Sequence, residues 1–403
     1  MHHSSLMSRR VLLKPKKLLV FPVLITIPFF SAQLAAEESD IEKRINALEQ
    51  KMIEKDKRID ELEINAIGFE DRLGSRALAR AFEASSLDIG GFLHQTLTYA
   101  DGEDGNSTSF NRTVFELLVK AQFNEDWSAF MAQAFMRQSD DPFVNGSRFD
   151  PQFNSNSGTD TVIAWAQYRF NDSANLQIGR FISPQGIINI EHFPAILLEP
   201  EQPQFLRPFG SDTIFSNFVT GLHFYGNQFV GNNHANQLSY HLYTGNAAKN
   251  PNDLVYGARV AYQLSDQGVT FGLNANGGER NNTEGGSFNT WGADVLIDKG
   301  AFQLKTEIFS SDETPVAGRD DRLGWYIQPI YKINASWTSF YRYDFLDNGK
   351  DEGDSVENIL GVTFKPIQNI HLRATYTRKT LDANQTFAEA DMNIVQLSGT
   401  FSF

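Results

Sequence analysis

The final stretch of the chain, residues 393–403 with the sequence NIVQLSGTFSF, decides the fold. In this stretch every second residue belongs to one set, which is Val395, Leu397, Gly399, Phe401 and Phe403. Polar residues lie between the members of this set from residue 396 onward. Side chains of a β-strand point alternately to its two faces, so this period predicts a strand between an apolar and a wet environment. The same period can be followed back along the chain as far as Leu87.

Sixteen segments of about ten residues share this alternation. They are residues 87–99, 113–123, 127–137, 161–170, 175–182, 217–226, 236–244, 255–264, 268–276, 289–297, 301–309, 323–333, 336–345, 357–365, 369–378 and 393–403. An even number of antiparallel strands places both chain ends on the same side of a membrane. The pattern therefore predicts an all-β fold, a sixteen-stranded antiparallel transmembrane β-barrel over residues 87–403.

The connections between these segments alternate in length, as they do in membrane barrels with short periplasmic turns and long outer loops. The tight turns are residues 124–126, 171–174, 265–267, 298–300, 334–335 and 366–368, with residues 227–235 a longer exception. The long connections are residues 100–112, 138–160, 245–254, 277–288, 310–322, 346–356 and 379–392. This sorting favours a bacterial outer-membrane location over the alternative, a soluble β-sandwich or propeller.

Aromatic residues near the predicted strand ends support the membrane reading, because barrels place interfacial girdles there. Examples are Tyr99, Phe170, Tyr331 and Trp337. The terminal Phe403 resembles the closing aromatic residue that outer-membrane barrels present to their assembly machinery. Both features favour a barrel whose outer surface meets lipid.

Residues 1–36 read as a secretory signal peptide, because basic residues precede an apolar run that small residues follow. We expect cleavage after Ala36. The pair Arg9 and Arg10 also fits a twin-arginine signal, which would export a folded protein. A membrane barrel crosses the inner membrane unfolded, and this favours the general secretion route.

Residues 37–74 predict a short α-helical coiled coil, because apolar residues recur at alternating steps of four and three. The first members of this seam are Ile41, Ile45, Leu48 and Met52. We interpret the helix as a periplasmic oligomerisation stalk, and a solvated linker helix is the alternative. Residues 75–86 then form a linker to the barrel. A homotrimer is favoured because large general porins are commonly trimers.

Composition excludes several functions. With 49 acidic and 35 basic residues the formal charge is −14, which argues against a nucleic-acid partner. The absence of cysteine leaves no disulfide framework and no thiolate metal site. Motifs of catalysis, phosphate binding and metal binding are also absent from the sequence. We therefore expect no enzyme activity, no catalytic residues, no cofactor and no metal.

The longest connection, residues 183–216, is rich in Pro, Ile and Phe, so it is too apolar to extend into water. We expect this constriction loop to fold into the barrel and narrow the bore. Its candidate constriction residues are Glu191, His192, Glu199, Glu201, Arg207 and Asp212. These charges either meet the solute or anchor the loop to the wall, and the sequence leaves both readings open.

Strand parity indicates which side chains face the bore, because apolar neighbours define the lipid face. The candidate basic residues of the pore wall are Lys120, Arg137, Arg169, Arg259, Lys305, Arg322, Arg342 and Arg373. Fewer acidic residues oppose them, so the wall is expected to be basic and to concentrate anions. Arg180 is an exception that faces lipid by parity unless Gly179 marks a β-bulge.

The stretch IGRFISPQGI, residues 178–187, resembles the Gly-x-Phe-x-x-Pro-x-Gly segment that leads into the constriction loop of phosphate-selective porins and their relatives. The later EQPQFLRPF, residues 201–209, is similar to the loop that follows in that family. The resemblance implies a trimeric, anion-conducting channel with basic residues along the bore.

Taken together, these patterns predict an outer-membrane porin for the passive diffusion of small hydrophilic solutes, with a modest anion preference. The expected partners are small solutes or anions, the lipid and lipopolysaccharide of the membrane, and two further copies of the chain. The alternative is a structural or adhesive barrel whose acidic outer loops bind a partner.

Overall fold

The computed structural model of the 403-residue chain describes residue 50 and residues 86–102, 105–138, 157–199, 201–206, 213–231, 236–247, 254–280, 286–314, 321–347, 349, 354–381 and 391–403. Two units are distinguished, Met1–Arg80 and Ala81–Phe403. Apart from residue 50, the predicted signal peptide and stalk lie outside the described residues, so the coiled coil stays a prediction. Within the described part, no helix is long and apolar enough to cross a membrane.

Sixteen antiparallel strands form one closed barrel, which confirms the strand count and the class of fold. Each strand pairs with its neighbours in the chain, and β1 pairs with β16 to close the barrel. The strands are β1 Ser86–Gly102, β2 Gly105–Gln122, β3 Trp127–Gln138, β4 Ser157–Asn171, β5 Ala174–Ile182, β6 Phe218–Val230, β7 Asn236–Asn246, β8 Leu254–Leu264, β9 Val269–Arg280, β10 Gly286–Lys299, β11 Phe302–Glu313, β12 Arg322–Lys332, β13 Trp337–Asp347, β14 Asp354–Ile367, β15 Ile370–Leu381 and β16 Met392–Ser402.

The closing strand β16 has the two faces that the sequence predicts. Leu397 is 52% exposed on the outer face, whereas its neighbour Gln396 is 4% exposed on the inner face. In the register with β1, Leu97 lies opposite Leu397 and Thr98 lies opposite Gln396. Matching faces on paired strands give the barrel an apolar exterior and a polar interior.

Aromatic side chains cluster near the strand ends on the outer surface. The rings of Trp127 and Tyr168 are 4.8 Å apart, and those of Trp337 and Phe364 are 4.5 Å apart. Two of the turns beside them share the pattern Asn-x-x-Trp. In the first, Asn124 Oδ1 accepts hydrogen bonds from the backbone N–H groups of Asp126 and Trp127 at 2.9 and 2.8 Å. Such a side-chain-closed turn holds the tryptophan at the membrane interface.

Several strands extend further than predicted on the side of the long loops. Residues 100–112 were expected to be a loop, but β1 runs to Gly102 and β2 begins at Gly105. In this extension Ala100 lies opposite Ser107 and Asp101 lies opposite Asn106. Beyond the lipid both faces of a hairpin meet water, so the ladder continues without the apolar alternation that reveals a strand in the sequence.

Candidate functional site

The described residues of the segment between β5 and β6, which are 183–199, 201–206 and 213–217, pack against the inner wall of the barrel. It turns inward at Gly186, which has φ +68° and whose N–H donates to Asn274 Oδ1 of β9 at 2.9 Å. A Cβ at this position would lie 1.9 Å from Glu307 Oε2 of β11. Glycine is therefore required here both for the left-handed backbone and for the close approach to the wall.

Two wall carboxylates hold the backbone of the loop. Glu307 Oε1 accepts hydrogen bonds from the N–H of Ile188 at 2.9 Å and from the hydroxyl of Tyr326 at 2.6 Å. Asp344 Oδ2, on β13, accepts the N–H of Gln204 at 2.9 Å. These hydrogen bonds tie the backbone of the loop to β11 and β13, so they fix the path of the loop.

Two of the predicted constriction carboxylates, Glu191 and Glu199, form ion pairs with the wall. Glu199 is 3% exposed, and Arg342 Nη1 of β13 lies 2.5 Å from its Oε2. Lys305 of β11 donates to both carboxylate oxygens of Glu191. Of the two readings that the sequence leaves open for Glu199 and Glu191, this arrangement corresponds to the anchoring one.

The remaining predicted constriction residues differ in their surroundings. Glu201 Oε1 accepts a hydrogen bond from Gln396 Nε2 of β16 at 2.8 Å. His192 is buried beside Phe218, with the two ring centroids 4.9 Å apart. Burial lowers the pKa of His192 to about 3, and the nearby positive charges of Arg112 and Arg180 add to this effect. Arg207 and Asp212 lie outside the described residues.

Apolar side chains fix the second half of the loop. Phe205 and Phe215 are 0% and 1% exposed and pack against Phe309 of β11, with ring centroids 5.8 and 4.8 Å apart. Burial of a phenylalanine side chain contributes about 1.5–3 kcal/mol. The loop is thus bound to β11 by apolar contacts as well as by ions.

The structure places seven of the eight predicted basic wall residues on the inner face. These residues are Lys120, Arg169, Arg259, Lys305, Arg322, Arg342 and Arg373. Arg137 is the exception, because it shares the outer face of β3 with Phe135, which is 44% exposed. It lies next to the end of β3, where an outward charge reaches water or lipid headgroups without crossing the apolar band.

Most inner-face cations have a carboxylate partner. Arg259 Nη2 lies 2.7 Å from Asp294 Oδ1, and both residues are buried. Arg322 lies 3.5 Å from Glu313, and Arg169 pairs with Asp172. The wall is therefore less basic than the count of its cations indicates. Strand parity identifies the face of each charge but not its partner.

Two neighbouring cations, Lys365 of β14 and Arg373 of β15, form a pair. Arg373 donates to the backbone carbonyls of Leu197 and Pro194 and to Thr400 Oγ1 at 2.7 Å. Lys365 is close enough for the two positive charges to interact. No ion pair to a carboxylate is found for either cation within the described part of the chain. Sequence reasoning missed Lys365, although Lys365 lies two residues after Thr363 and therefore shares its inward face of β14.

Arg180 does not project freely into lipid as plain parity predicts. The preceding Gly179 has φ +133°, and a Cβ there would lie 2.2 Å from the carbonyl oxygen of Ala164. The guanidinium of Arg180 lies 5.0 Å from the centroid of the Phe218 ring, and its Nε donates to the carbonyl of Val162 at 3.0 Å. Both glycines of the Gly-x-Phe-x-x-Pro-x-Gly segment thus occupy backbone positions that other residues rarely adopt.

The inner wall of β4 to β7 retains half-buried side chains that loop residues 183–199, 201–206 and 213–217 do not bond. Gln167, Tyr225 and His241 are the clearest cases. Their hydrogen bonds go to each other and to neighbouring wall residues. Sequence reasoning placed neither Gln167 nor Tyr225 at a site, and their inward parity on β4 and β6 was the only available signal.

Comparison with known proteins agrees with this architecture. No protein-family model matches the sequence, and no curated protein sequence matches it. OmpF of Salmonella typhi superposes with a TM-score of 0.59 at 13% identity over 80% of this chain and 99% of that chain. An anion-selective porin from Comamonas acidovorans gives 0.57 at 13% identity over 79% and 100%. The channel DcaP of Acinetobacter baumannii gives 0.55 at 12% identity over 80% and 98%.

At these identities the similarity establishes the fold. The chain shares the barrel architecture of outer-membrane porins, and a location in the bacterial outer membrane agrees with both the neighbours and the apolar outer face. The resemblance to phosphate-selective porins in particular stays a prediction from the sequence motif.

Proposed function

We propose that the chain is an outer-membrane porin through which small hydrophilic solutes diffuse passively. One observation carries the proposal: a closed sixteen-stranded barrel with an apolar exterior holds a loop bonded to its inner wall. A loop in this position narrows a channel, and its described residues make no hydrogen bond to Gln167, Tyr225 or His241, which are left for water. A barrel that serves only as a scaffold needs no such internal arrangement.

A modest anion preference is part of the proposal. Most cations of the inner wall pair with carboxylates, so their net contribution to selectivity is small. The pair Lys365 and Arg373 supports the preference, since its hydrogen bonds go to neutral groups. The neighbour from Comamonas acidovorans is named an anion-selective porin. An uncompensated cation in a narrow, low-dielectric passage favours anions.

The proposed assembly is a homotrimer in lipid and lipopolysaccharide. OmpT of Vibrio cholerae, whose solved structure is a trimer form, superposes with a TM-score of 0.53 at 10% identity over 79% of this chain and 100% of that chain. For this chain the trimer rests on that likeness and on the predicted coiled coil. Chemical cross-linking of the purified protein in detergent tests it, with a three-subunit product expected.

Planar-bilayer recording of the full chain tests the channel directly. We expect stepwise ion currents in KCl, and a reversal potential in a KCl gradient that indicates a small excess of chloride permeability. A correctly folded, heat-modifiable barrel that carries no current would contradict the proposal and would support the adhesive alternative.

The substitution Lys365→Glu tests the origin of the anion preference. It replaces the half-buried cation beside Arg373 with an anion, and we expect the reversal potential to move toward cation selectivity. Lys299→Glu is the matched control. It makes the same change in net charge, but Lys299 is exposed on the outer face at the end of β10. Equal shifts in the two variants would show that selectivity does not arise at Lys365.

A further inference from the structure

A group of neutral side chains covers the inner wall of β4 to β7 opposite the anchored loop. Gln167 lies opposite Gln177 across β4 and β5, and Gln177 lies opposite His223 across β5 and β6. In the next row, Tyr225 of β6 lies opposite His241 of β7. We call these five residues the neutral strip.

Hydrogen bonds within the neutral strip fix the direction of each donor. Gln167 Oε1 accepts from the Tyr225 hydroxyl at 2.7 Å and from Gln177 Nε2 at 3.0 Å. Both lone pairs of that oxygen are then used, while the Nε2 amide group of Gln167 has no acceptor within the described residues. The NH2 group of Gln167 therefore remains as a hydrogen-bond donor for a molecule in the bore.

The same chain of bonds leaves one open acceptor. Gln177 Oε1 accepts from His223 Nδ1 at 2.9 Å, so the neutral His223 ring carries its hydrogen on Nδ1 and accepts at Nε2. His223 Nε2 lies 3.1 Å from His241 Nδ1, which must then donate. The remaining Nε2 of a neutral His241 is an acceptor. The strip thus offers an amide donor and an imidazole acceptor to the bore.

Flat rings accompany these two polar groups. The rings of Tyr225 and His241 lie almost parallel, at 8° with their centroids 5.8 Å apart. Phe130 and Trp165 of the next row are 5.7 Å apart on the same inner face. Aromatic faces of this kind attract the C–H surfaces of a flat or ring-shaped solute.

The flanking charges are already paired. Arg259, which lies opposite His241, pairs with Asp294, and Arg169, in the same row as Tyr225, pairs with Asp172. A charged solute at the strip would have to compete with the buried pair of Arg259 and Asp294. Neutral recognition by rings, one donor and one acceptor needs no such competition.

We propose that the neutral strip is a subsite for neutral hydroxylated rings, that is, for sugars. A pyranose has an apolar C–H face for the aromatic rings and hydroxyl groups that both donate to His241 and accept from Gln167. This inference rests on the proposed channel function and names a class of solute for it. Stacking of one ring contributes about 0.5–1.5 kcal/mol, so the subsite binds weakly. A bound sugar interrupts the ion current, and weak binding favours entry of the sugar into the bore while still releasing it readily.

The test uses the full chain in planar bilayers, with the trisaccharide raffinose as the probe in KCl. We expect saturable reduction of the ion current, and a loss of about 2- to 10-fold in the blocking constant in Tyr225→Ala. The matched control is Phe224→Ala, since Phe224 is the neighbouring ring on the outer face of β6. His241→Phe keeps a ring and removes the acceptor, and it should weaken the block by a similar factor.

The outcomes separate this subsite from the channel itself. Absence of ion current would overturn the porin proposal. Ion current without raffinose block, or equal block in Tyr225→Ala, His241→Phe and Phe224→Ala, would overturn the subsite alone. If the variants fail to form heat-modifiable barrels, the subsite is tested with the wild-type protein in liposomes, whose swelling measures the rate of solute entry. Glucose is then expected to enter faster than open-chain sorbitol, and equal rates would refute the subsite.

Discussion

Two parts of the inner wall use polar side chains in opposite ways. On β9 to β15, buried ionisable side chains such as Arg342, Glu307 and Asp344 bind the loop, and Arg342 is only 1% exposed. On β4 to β7, neutral side chains such as Gln167 and Tyr225 are half-buried and bond mainly to each other. Buried charge on β11 and β13 thus fixes the loop, whereas the polar side chains that the loop leaves unbonded on β4 to β7 are largely neutral.

Removal of a buried anchor should have the largest effect. Arg342→Met leaves Glu199 and Asp344 buried without their cation, so we expect a loss of about 3–5 kcal/mol in the free energy of unfolding, and higher conductance if the loop is released. Denaturant unfolding in detergent and single-channel conductance measure the two effects.

The matched control for Arg342→Met is Arg169→Gln, which breaks an ion pair whose side chains are 51% and 82% exposed. An exposed pair contributes about 1 kcal/mol or less. Similar losses of stability in the two variants would contradict the anchoring role of the β13 side.

The turn at Gly186 provides the second test. Gly186→Ala adds the strain of a left-handed backbone, about 1–2 kcal/mol, and drives a Cβ against Glu307. Gly300→Ala carries the same backbone strain at φ +62°, but its Cβ meets no described atom within 4 Å. We expect Gly186→Ala to destabilise the protein more than Gly300→Ala and to raise its conductance. Equal losses of stability, with unchanged current in both variants, would contradict the need for a close approach between Gly186 and Glu307.

A smaller effect is expected from pH at His192. Burial lowers the pKa of His192 to about 3, below the value near 6.5 of an unfolded chain. The unfolded state therefore binds the proton more readily. The free energy of unfolding, which is not reduced by His192 above about pH 6.5, then falls by at most about 1.4 kcal/mol per pH unit as the pH decreases toward 3. His192→Phe should reduce this slope in denaturant unfolding between pH 7 and pH 5. An unchanged slope would contradict the burial of a neutral imidazole.

The sequence predicted the barrel well because lipid on one side and water on the other impose a period of two. That signal ends where both faces meet water, so the extension of β1 to Gly102 and β2 from Gly105 was missed. Arg137 was misplaced for a related reason, because near a strand end an outward charge no longer lies in the apolar band.

The site was harder to predict because parity gives the face of a residue and not its partner. Lys305 and Arg342 were placed on the inner face, but their pairing with Glu191 and Glu199 depends on the path of the loop. The neutral strip depends on registers between strands that are distant in sequence, such as Gln167 beside Tyr225. Such contacts have no local signal.

Cysteine accessibility tests most directly the division between the anchored and the open wall, because the chain has no native cysteine. Single variants Gln167→Cys and Thr363→Cys place one thiol on each side, since Thr363 is 0% exposed and bonds the carbonyl of Leu198 at 3.0 Å. A water-soluble thiol reagent is expected to react rapidly with Gln167→Cys and to lower its current, while Thr363→Cys stays unreactive. Rapid reaction at Thr363→Cys with none at Gln167→Cys would contradict it.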